Sequence, residues 1–596
     1  AQYINYDLVI VGGNPGGIMA AISAARMGKK SVILERTRYV GGLPANGLGA
    51  TDIATRAATT GLFREFVDAV IDTYGPASEQ VKVCSDGYHF EPSVGARIFQ
   101  KMLDGQKDKI TVLTMRQFDA EDENIVMRDN RIEKIRILNR ETGEMEEYTG
   151  SVFLDATYEG DLGAAAGVPF RVGREGKDEF GEPGAGRVYK YWGGPEGDGS
   201  TFKKDNAVQS YNYRLCLTNN PANRVAFTKP ARYNREDYAS IVEDVWTGRN
   251  TDAAMQRVTP EMMEENRKHI KAGNPSKLPG DKWKITNIVH VPNMKTDANN
   301  QHGVFVSTDL PEENWPWPTS SWEWRDKFAQ RLREYTEGLF WFAQNDPELP
   351  AHFRKAAKEW GLSKDEYADN GHFPRQVYVR EGRRFEGAYF FTANDAIPVT
   401  IGSRPPIHQS SITASHYALD SHAVRKREEG RVHLDGFLSY PSAVYTVPYG
   451  VMVPKEVGNL LLPVPVSGSH IGFSTLRMEP CWMAMGQAAG IASALSIDGK
   501  VKVQNIDLSR LQDKLVDQKA TLMYFKDVDY TSPHFRMVQY LGLRGSLPEW
   551  TARLQEPVDM ATLTAWKKLS GKDLPGIEAG KTTRLVALEM IYRKIK

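Results

Sequence analysis

The most constraining part of the sequence is its start, where a strand, a glycine-rich turn, a helix and a second strand follow one another within about thirty residues. Tyr6–Val11 is a short apolar run of the kind used for a buried parallel strand. The turn 12–17 (GGNPGG) follows, and the Ala-rich segment Ile18–Met27 predicts a tightly packed helix. Lys30–Leu34 predicts a second strand. This order predicts an α/β fold with a parallel sheet.

The turn has the features that a dinucleotide pyrophosphate needs, namely backbone N–H groups at a helix N-terminus without blocking side chains. Gly12 allows the tight turn, Gly17 allows the helix to pack on the strand, and Glu35 ends the second strand, where a carboxylate can accept hydrogen bonds from ribose hydroxyls. Asn14 replaces the usual second glycine, but asparagine tolerates positive φ. The sequence therefore predicts dinucleotide binding; the alternative is an ordinary glycine turn. The candidate residues are Gly12, Gly13, Asn14, Pro15, Gly16, Gly17 and Glu35.

The rest of the chain divides by character. The first part continues with a predicted helix over 91–103, a strand over 110–115, a hairpin of 132–138 with 146–150 and a buried strand over 151–156. A polar, aromatic, loop-rich stretch follows, with helices near 257–271, 322–344 and 351–360. The apolar run 460–464 and the predicted small-residue helix 483–495 then resemble the apolar strands and the Ala-rich helix of the first part. We predict a nucleotide-binding domain from 1–165 and 431–505, an inserted substrate domain over about 166–430 and a helical module over 506–596.

The composition excludes several classes of protein. Lys plus Arg and Asp plus Glu both number 75, which gives no support for a nucleic-acid partner or a polybasic membrane-surface protein. No stretch approaches the roughly 20 apolar residues of a membrane span. The three cysteines, Cys84, Cys216 and Cys481, form no CxxC motif, and buried thiols are the simplest interpretation.

Several later stretches resemble one family of flavoproteins. Arg36 followed by Gly41-Gly42 is like the E-R-x(n)-G-G stretch of proteins with two dinucleotide-binding domains, 153–161 (FLDATYEGD) fits their second strand-turn motif, and 458–464 (GNLLLPV) lies where they close the FAD site. The chain resembles the FAD-dependent oxidoreductase family of glutathione-reductase-like topology, distantly similar to fumarate reductase flavoproteins. The match runs through most of 6–500, and its most specific stretches are 41–52, 155–173, 371–384 and 469–487.

The resemblance implies FAD as the cofactor. It implies an α/β fold with a Rossmann-type FAD-binding domain, an inserted α+β substrate domain and a C-terminal helical module. The further FAD-binding residues that it implies are Arg36, Gly41, Gly42, Leu43, Asn46, Gly47, Gly49, Ala156, Thr157, Gly160, Asp161, Arg477 and Met478. Covalent and non-covalent attachment both stay open.

In this family's fold the segment 469–479 lies beside the isoalloxazine ring. His470 is therefore our first candidate for a proton-transfer group, and the alternative is a structural histidine bonded to a backbone carbonyl. Arg477 is expected to hold the flavin or a substrate anion, or else to form an ion pair with Glu479.

A second candidate cluster is 372–384, in which Arg375, Arg380, Arg383 and Arg384 are interleaved with apolar residues. In a strand, Tyr378 and Arg380 would share one side and Val377 and Val379 the other. Arginine forks suit carboxylate, phosphate or polyol oxygens, whereas the structural alternative is an Arg–Glu network that includes Glu381 and Glu386. His372 is a second acid–base candidate, and Tyr378 and Arg380 complete the predicted catalytic set.

Two further patterns favour structural roles. His416 and Asp420 would share a face if helical, and His422 follows them, but no third metal ligand is evident, so we predict no metal site. Trp315, Trp317, Trp322 and Trp324 could stack on sugar rings, although a packed lid is the commoner use of such a cluster.

The two ends of the chain suggest export and attachment. Ala1-Gln2 without Met is typical of the end left by signal-peptide cleavage, although tag removal would look the same, so we expect a periplasmic or extracellular protein and keep the cytoplasm as the alternative. The stretch 525–585 resembles one partial copy of an S-layer-homology-type helical module. That resemblance implies attachment to a cell wall or a partner; the alternative is a helical cap.

Together these features predict an enzyme that transfers hydride between FAD and a small polar, carbohydrate-type substrate. Oxygen or a redox partner would reoxidise the flavin; in the cytoplasm a reductase acting on a double bond becomes equally suitable. Two alternatives from other classes stay open: a flavin-containing non-redox lyase or isomerase, and a glycan-binding flavoprotein.

Overall fold

A computed structural model describes residues 5–278 and 285–596. Most strands are short, and the larger part of the inserted region runs as turns and loops. The strands are β1 (Asn5–Val11), β2 (Ser31–Leu34), β3 (Ile110–Leu113), β4 (Arg116–Gln117), β5 (Ile125–Arg128), β6 (Arg131–Asn139), β7 (Met145–Asp155), β8 (Phe170–Arg171), β9 (Leu217–Thr218), β10 (Arg224–Val225), β11 (Asn287–Val291), β12 (Lys295–Asn299), β13 (Gly361–Ser363), β14 (Arg384–Phe385), β15 (Ser411–Ser415), β16 (Leu419–Ser421), β17 (Leu438–Tyr440), β18 (Tyr445–Pro448) and β19 (Leu460–Leu461).

The helices fall into three groups: those around the first sheet, those of the inserted region and those at the C-terminal end. They are α1 (Pro15–Arg26), α2 (Leu43–Asn46), α3 (Leu62–Tyr74), α4 (Pro92–Asp104), α5 (Asp161–Ala165), α6 (Lys177–Phe180), α7 (Ser240–Thr247), α8 (Pro260–Lys271), α9 (Trp322–Asn345), α10 (Ala351–Lys358), α11 (His470–Leu476), α12 (Glu479–Gly499), α13 (Leu508–Asp517), α14 (Phe535–Leu543), α15 (Met560–Ser570) and α16 (Arg584–Ile595).

The main sheet has eight strands, in the order β3-β2-β1-β7-β6-β4, with β5 paired to β6 and β19 to β7. Strand β7 joins two kinds of pairing, because its first half runs antiparallel to β6 and its second half parallel to β1 and β19. The predicted βαβ unit and the hairpin are thus confirmed. The carboxyl ends of β1, β2 and β7 meet at one edge, where ligands bind in open α/β sheets.

Helices α1 and α12 pack closely on one face of this sheet. A Cβ on Gly486 would lie 2.0 Å from the carbonyl oxygen of Gly16, so only glycine allows this approach. Ser23 Oγ donates a hydrogen bond to the Gln487 carbonyl, 2.8 Å away, at the same crossing. The small residues noted in both helices therefore fix α12 over the glycine turn, and its N-terminus points toward the cofactor end of α1.

The inserted region carries its own five-stranded sheet, β10-β13-β9-β12-β11, and the long helix α9. The segment 377–380, whose side chains we considered as those of a strand, forms no strand: Tyr378 makes an isolated bridge with Asn212, and the next strand begins at Arg384. The segment around Asp420 is also a strand, not a helix. The extended backbone nevertheless keeps the alternation of side chains that the sequence predicts.

The C-terminal helices pack onto the body of the protein. Gln512 Nε2 donates to the carbonyl oxygens of Gln409 and Ser411, and Ala414 N–H donates to the Thr521 carbonyl. Cys84, Cys216 and Cys481 are buried free thiols. Within the two described ranges, no helix is long and apolar enough to cross a membrane. The domain boundaries stay predictions.

Candidate functional site

The glycine turn after β1 is shaped to let a ligand approach its backbone. Gly12 has φ of +106°, and a Cβ there would lie 2.7 Å from the Ala156 carbonyl oxygen, so a side chain is excluded on both counts. Helix α1 begins at Pro15, and its N-cap residue Asn14 makes no capping bond. Instead, Asn14 Nδ2 donates to the Ala156 carbonyl at 2.9 Å. The residue that departs from the glycine pattern thus ties the turn to the end of β7, and the first N–H groups of α1 are left for a ligand.

Glu35 lies at the end of β2, beside this turn. Its Oε2 accepts the Gly13 N–H at 2.8 Å, and its Oε1 accepts the Thr37 N–H at 3.1 Å. Burial raises the pKa of Glu35, while these two hydrogen bonds act to lower it. The carboxylate is therefore held in one orientation at the place where a ribose would bind, as the sequence predicts.

A cavity opens above the turn and holds about 840 Å³ of empty space, its open mouth included. Its floor comes from the main sheet and its roof from the inserted region. The floor includes Val11, Gly12, Asn14, Leu34, Glu35, Thr157, Tyr158 and Glu159, and the roof includes Tyr213, Trp317, Trp322, Ala329, Gln376, Val377 and Val379.

The tryptophan cluster forms the lid of this cavity. Trp317 is buried, and the Arg36 guanidinium lies 4.0 Å from the centroid of Trp322. Arg36 Nη2 also donates to Asp326 on α9, at 2.6 Å. The packed-lid interpretation of the tryptophans therefore fits the structure, with Arg36 linking the lid to the floor.

Asp161 anchors the same lid from the other side. Its carboxylate accepts two hydrogen bonds from Arg325, at 2.7 and 3.0 Å, and one from Arg383, at 2.6 Å. Burial would raise the pKa of Asp161, but the two guanidinium groups outweigh it and hold the pKa below its ordinary value. Asp161 thus joins the start of α5 to Arg325 and Arg383 of the inserted region, and it also lines the cavity.

The loop 41–49 continues the site beyond the turn. Gly41 N–H donates to the Gly13 carbonyl, and Asn46 Nδ2 donates to the Gly42 carbonyl at 3.1 Å. Asn46 also accepts Arg375 Nη1 at 3.3 Å. Gly47 and Gly49 lie close to their neighbours. A Cβ on Gly47 would lie 2.8 Å from a side-chain carbon of Leu43, and one on Gly49 would lie 2.5 Å from the Phe90 carbonyl oxygen. The predicted loop residues are therefore packed together beside the turn.

A buried Tyr–Glu pair stands next to Gly42, at the N-terminus of α12. Tyr158 OH donates to Glu479 Oε1 at 2.7 Å, and a Cβ on Gly42 would lie 2.9 Å from the same hydroxyl oxygen. In the part of the chain that the structure describes, Glu479 Oε2 has no hydrogen-bond partner. Burial raises the pKa of Glu479 to about 8, against the lowering effect of Tyr158. Our alternative of an Arg477–Glu479 ion pair was wrong, because Glu479 pairs with Tyr158.

Behind the extended segment 377–380 lies a closed network that we call the charged ring. Its members are all buried: Arg477, Asp420, His422, Asp309, Arg380 and Tyr378. Arg477 donates to the Tyr378 hydroxyl at 2.9 Å and to Asp420 Oδ1 at 3.2 Å. Val377 and Val379 line the cavity, so the ring lies on the opposite side of this segment.

His422 bridges the two carboxylates of the ring. Its Nδ1 lies 2.7 Å from Asp309 Oδ2 and its Nε2 3.3 Å from Asp420 Oδ1. Arg380 donates to Asp309 Oδ1 at 2.9 Å, and its guanidinium lies 4.8 Å from the centroid of Tyr378. Burial would raise the pKa of Asp309, but Arg380 and His422 outweigh it and lower the pKa. Each charge in the ring thus has a counter-charge inside the protein.

His470 belongs to a second buried array that shares the segment around β16. Its Nδ1 lies 2.8 Å from Glu381 Oε1, and its Nε2 lies 3.1 Å from Ser421 Oγ. Burial would raise the pKa of Glu381, but His470 and Arg384 outweigh it and lower the pKa. Ser421 precedes His422, so the array and the charged ring are adjacent in the chain.

His372 lies apart from this array. It is half-buried in a turn with φ of +64°, and its Nδ1 lies 3.2 Å from the Glu366 carbonyl. Among the described residues it shares no hydrogen-bond partner with His470.

Arg384 donates to Glu175 at 2.6 Å, so the arginines of 380–384 form the internal ion-pair network that we gave as the alternative.

The sequence left several of these residues unrecognised. Tyr158 and Glu159 lie inside the strand-turn motif that we quoted, so attention to its polar side chains could have found them. His422 and Asp420 were weighed as metal ligands and interpreted as a hydrogen-bonded structural group, but their partners Asp309 and Arg477 were not recognised. No group of three His, Cys, Asp or Glu side chains suited to a metal occurs in residues 5–278 and 285–596. Asp309 carries no local signal, because its partner His422 is more than a hundred residues away.

Local similarity to known proteins is short or weak. A segment of 41 residues is 49% identical to the soluble pyridine nucleotide transhydrogenase of Mycobacterium bovis and covers 7% of this chain and 9% of that protein's length. The structure of the glycerol-3-phosphate dehydrogenase from Bacillus halodurans complexed with FAD covers 28% of this chain and 37% of its own at 10% identity, with a TM-score of 0.20. The structure of p-nitrophenol 4-monooxygenase from Pseudomonas putida matches over 28% of this chain and 44% of its own at 16% identity, with a TM-score of 0.21.

One family model spans most of the chain. The model described as FAD dependent oxidoreductase matches residues 7–515. The residues present fit FAD, since the turn at Gly12 excludes a side chain, Glu35 is oriented for a ribose and Glu479 Oε2 is left without a partner. The predicted family and cofactor are therefore confirmed: this chain belongs to the FAD dependent oxidoreductase family.

Proposed function

We propose that this protein oxidises a small polar, carbohydrate-type substrate by passing hydride to FAD, with a separate acceptor reoxidising the flavin. The observation that carries the proposal is the Glu381–His470–Ser421 array beside the charged ring. An alcohol carbon that loses hydride also loses its hydroxyl proton, so the reaction needs a positioned base. Bound FAD would supply the hydride acceptor.

His470 is suited to receive that proton. Glu381 fixes Nδ1 of His470 and stabilises positive charge on its imidazole. Nε2 is then left as the site of proton exchange through Ser421 Oγ. All three side chains are buried, so water is excluded from the exchange. The array therefore has the base, the orienting carboxylate and the relay that an alcohol oxidation requires.

The charged ring supports the same reaction by electrostatics. Arg477 and Arg380 hold two guanidinium groups behind the segment 377–380, whose Val377 and Val379 line the cavity, and Arg477 stands just before α12, whose N-terminus adds partial positive charge. Fixed positive groups stabilise negative charge that develops during hydride transfer. The ring's carboxylates keep these cations in place when no substrate is bound.

An aromatic group next to His422 supports a sugar-like substrate. The ring centroids of Trp192 and His302 are 4.4 Å apart, and those of Trp192 and Phe437 are 5.1 Å apart. Trp192 and His302 are half-buried, and the ring centroid of Trp192 lies 6.4 Å from that of His422 in the charged ring. Flat aromatic faces beside polar groups suit a ligand with an apolar ring face and hydroxyls on its edge.

The test is an anaerobic absorbance titration of the holoprotein with sugars, glycosides and hydroxy acids. We expect one class to bleach the flavin bands, and His470→Gln to bind FAD normally but bleach roughly 10²–10⁴-fold more slowly. His534→Gln, at the start of α14, is the control and should match the wild type.

The other outcomes would each replace the proposal. Bleaching by reduced nicotinamide dinucleotide alone would indicate a reductase. Product formed without bleaching would indicate a lyase or isomerase. Tight glycan binding with neither would indicate a binding protein. Export, the electron acceptor and attachment through the C-terminal helices remain predictions from the sequence.

A further inference from the structure

Glu159 lies in the turn between β7 and α5 and lines the cofactor cavity. It is 6% exposed, and among the described residues no group outside Glu159 itself donates a hydrogen bond to its carboxylate. A buried carboxylate that lacks donors loses its hydration without compensation. Its position in the wall of the cavity indicates that a bound ligand supplies the missing donor.

The neighbouring cations are already committed to other acceptors. Arg325, on α9, donates to both Asp161 oxygens and to the carbonyls of Trp317 and Pro318. Arg383 donates to Asp161 and to the main-chain carbonyl of Glu159, not to its side chain. Burial raises the pKa of Glu159 to about 7, Arg325 lowers it, and the nearby Asp161 and Asp155 raise it further. Within residues 5–278 and 285–596, no cation therefore neutralises this carboxylate by direct contact.

The walls around Glu159 suit the adenosine half of FAD. Trp317, Trp322 and Phe118 line the same cavity as Glu159 and give it flat aromatic sides, which suit a stacked base. Glu35 holds the place of the ribose at the end of β2. Phosphate oxygens only accept hydrogen bonds and would repel a carboxylate. The remaining donor in this half of the molecule is the 6-amino group of adenine.

We propose that Glu159 is the residue that recognises adenine, by accepting a hydrogen bond from its 6-amino group. The site then distinguishes FAD from flavin dinucleotides whose base has a 6-oxo group, since two acceptors would face each other there. This inference concerns selection of the cofactor and does not depend on the identity of the substrate.

The experiment measures binding, not activity. Full-length apoprotein is titrated with FAD and with its hypoxanthine analogue, in which a 6-oxo group replaces the amine, and flavin fluorescence is followed. A hydrogen bond to a charged group contributes about 1.5–3 kcal/mol, so we expect the wild type to bind FAD roughly 10–150-fold more tightly. Glu159→Gln should narrow or reverse this ratio, because its amide can also donate to the 6-oxo group.

Glu121→Gln is the matched control: the residue is exposed beside an adjoining cavity and should leave the ratio unchanged. Equal binding of the two dinucleotides by the wild type would overturn the proposal, and this comparison needs no variant to fold. A wild-type ratio in Glu159→Gln would also overturn it. FAD reduction by substrates plays no part in either readout, so failure here is distinct from failure of the proposed reaction.

Discussion

The adenosine end of the cavity and the charged ring lie on opposite sides of one extended segment, yet they treat polar groups differently. At the adenosine end, among the described residues, no group outside Glu159 donates a hydrogen bond to its carboxylate, and the buried Trp317 indole N–H has no hydrogen-bond partner. In the ring, each carboxylate has a cation, and apart from the Nε atoms of Arg380 and Arg477 the guanidinium donors are used. The first region thus keeps polar groups that the described residues leave unpaired, whereas the charges of the second are paired with one another.

This difference indicates which region can gain binding free energy from new hydrogen bonds to a ligand. A ligand at the adenosine end gains hydrogen bonds that the protein does not make for itself. A substrate at the ring must compete with ion pairs that are already formed, because breaking a buried pair leaves an uncompensated charge. We therefore expect strong, selective cofactor binding at one end and weaker, geometry-dependent substrate binding at the other.

The largest effect should come from breaking the ring at Asp309. Asp309→Ala leaves Arg380 and His422 without their shared carboxylate, and the loss of one partner of a buried ion pair typically costs about 3–5 kcal/mol. We expect a clearly lower thermal midpoint of the holoprotein, with FAD affinity of the folded fraction nearly unchanged. Differential scanning calorimetry at fixed FAD concentration measures the first, and fluorescence titration the second.

The matched control is the Lys134–Glu147 pair on the outer side of the sheet, whose side chains are about a third exposed. Glu147→Ala should cost less than about 1 kcal/mol, as surface pairs do. If Asp309→Ala were as mild as this control, the ring would not be the self-balanced network described here.

The second effect concerns Glu479, which stands between the two regions. Burial raises its pKa to about 8, above the ordinary value of 4.5, so the folded protein keeps a proton that the unfolded chain releases. Stability from this group is therefore present below pH 4.5 and is lost as pH rises toward 8, by at most about 1.4 kcal/mol per pH unit.

Glu479→Gln removes this dependence while keeping the shape of the side chain. Between pH 6 and pH 8, the thermal midpoint of the wild type should fall more than that of Glu479→Gln, and Glu147→Gln should follow the wild type. Parallel changes in wild type and Glu479→Gln would mean that Glu479 is ionised in the folded protein and belongs with the balanced charges of the ring.

The sequence could predict the glycine turn and the carboxylate beside it because these parts are local. Gly12, Asn14 and Glu35 lie within one βαβ unit, where the order of strand, turn and helix fixes their positions. The ring could not be predicted in the same way, since Asp309, Arg380 and His422 come from distant segments of an irregular region. Their proximity depends on long-range packing. The arginines of 380–384 were recognised, but their partners were not, so ligand binding and internal pairing could not be told apart.

The smallest expected effect is on the rate of FAD release and comes from the tryptophan lid of the cavity. Trp322 contacts Arg36 through a cation–π interaction, with the guanidinium 4.0 Å from the ring centroid, and Arg36 also bonds Asp326. Trp322→Leu keeps an apolar lid but removes the attraction, which contributes about 0.5–1 kcal/mol at a partly exposed site. FAD should then leave the holoprotein roughly 2–5-fold faster, as measured by fluorescence recovery after dilution. Trp550→Leu, next to Arg404 on the C-terminal side, removes a similar contact away from the cavity and should leave the rate unchanged. An equal acceleration in both variants would show that the lid opens through general loosening of the fold, and that the adenosine end is not closed by its own contacts.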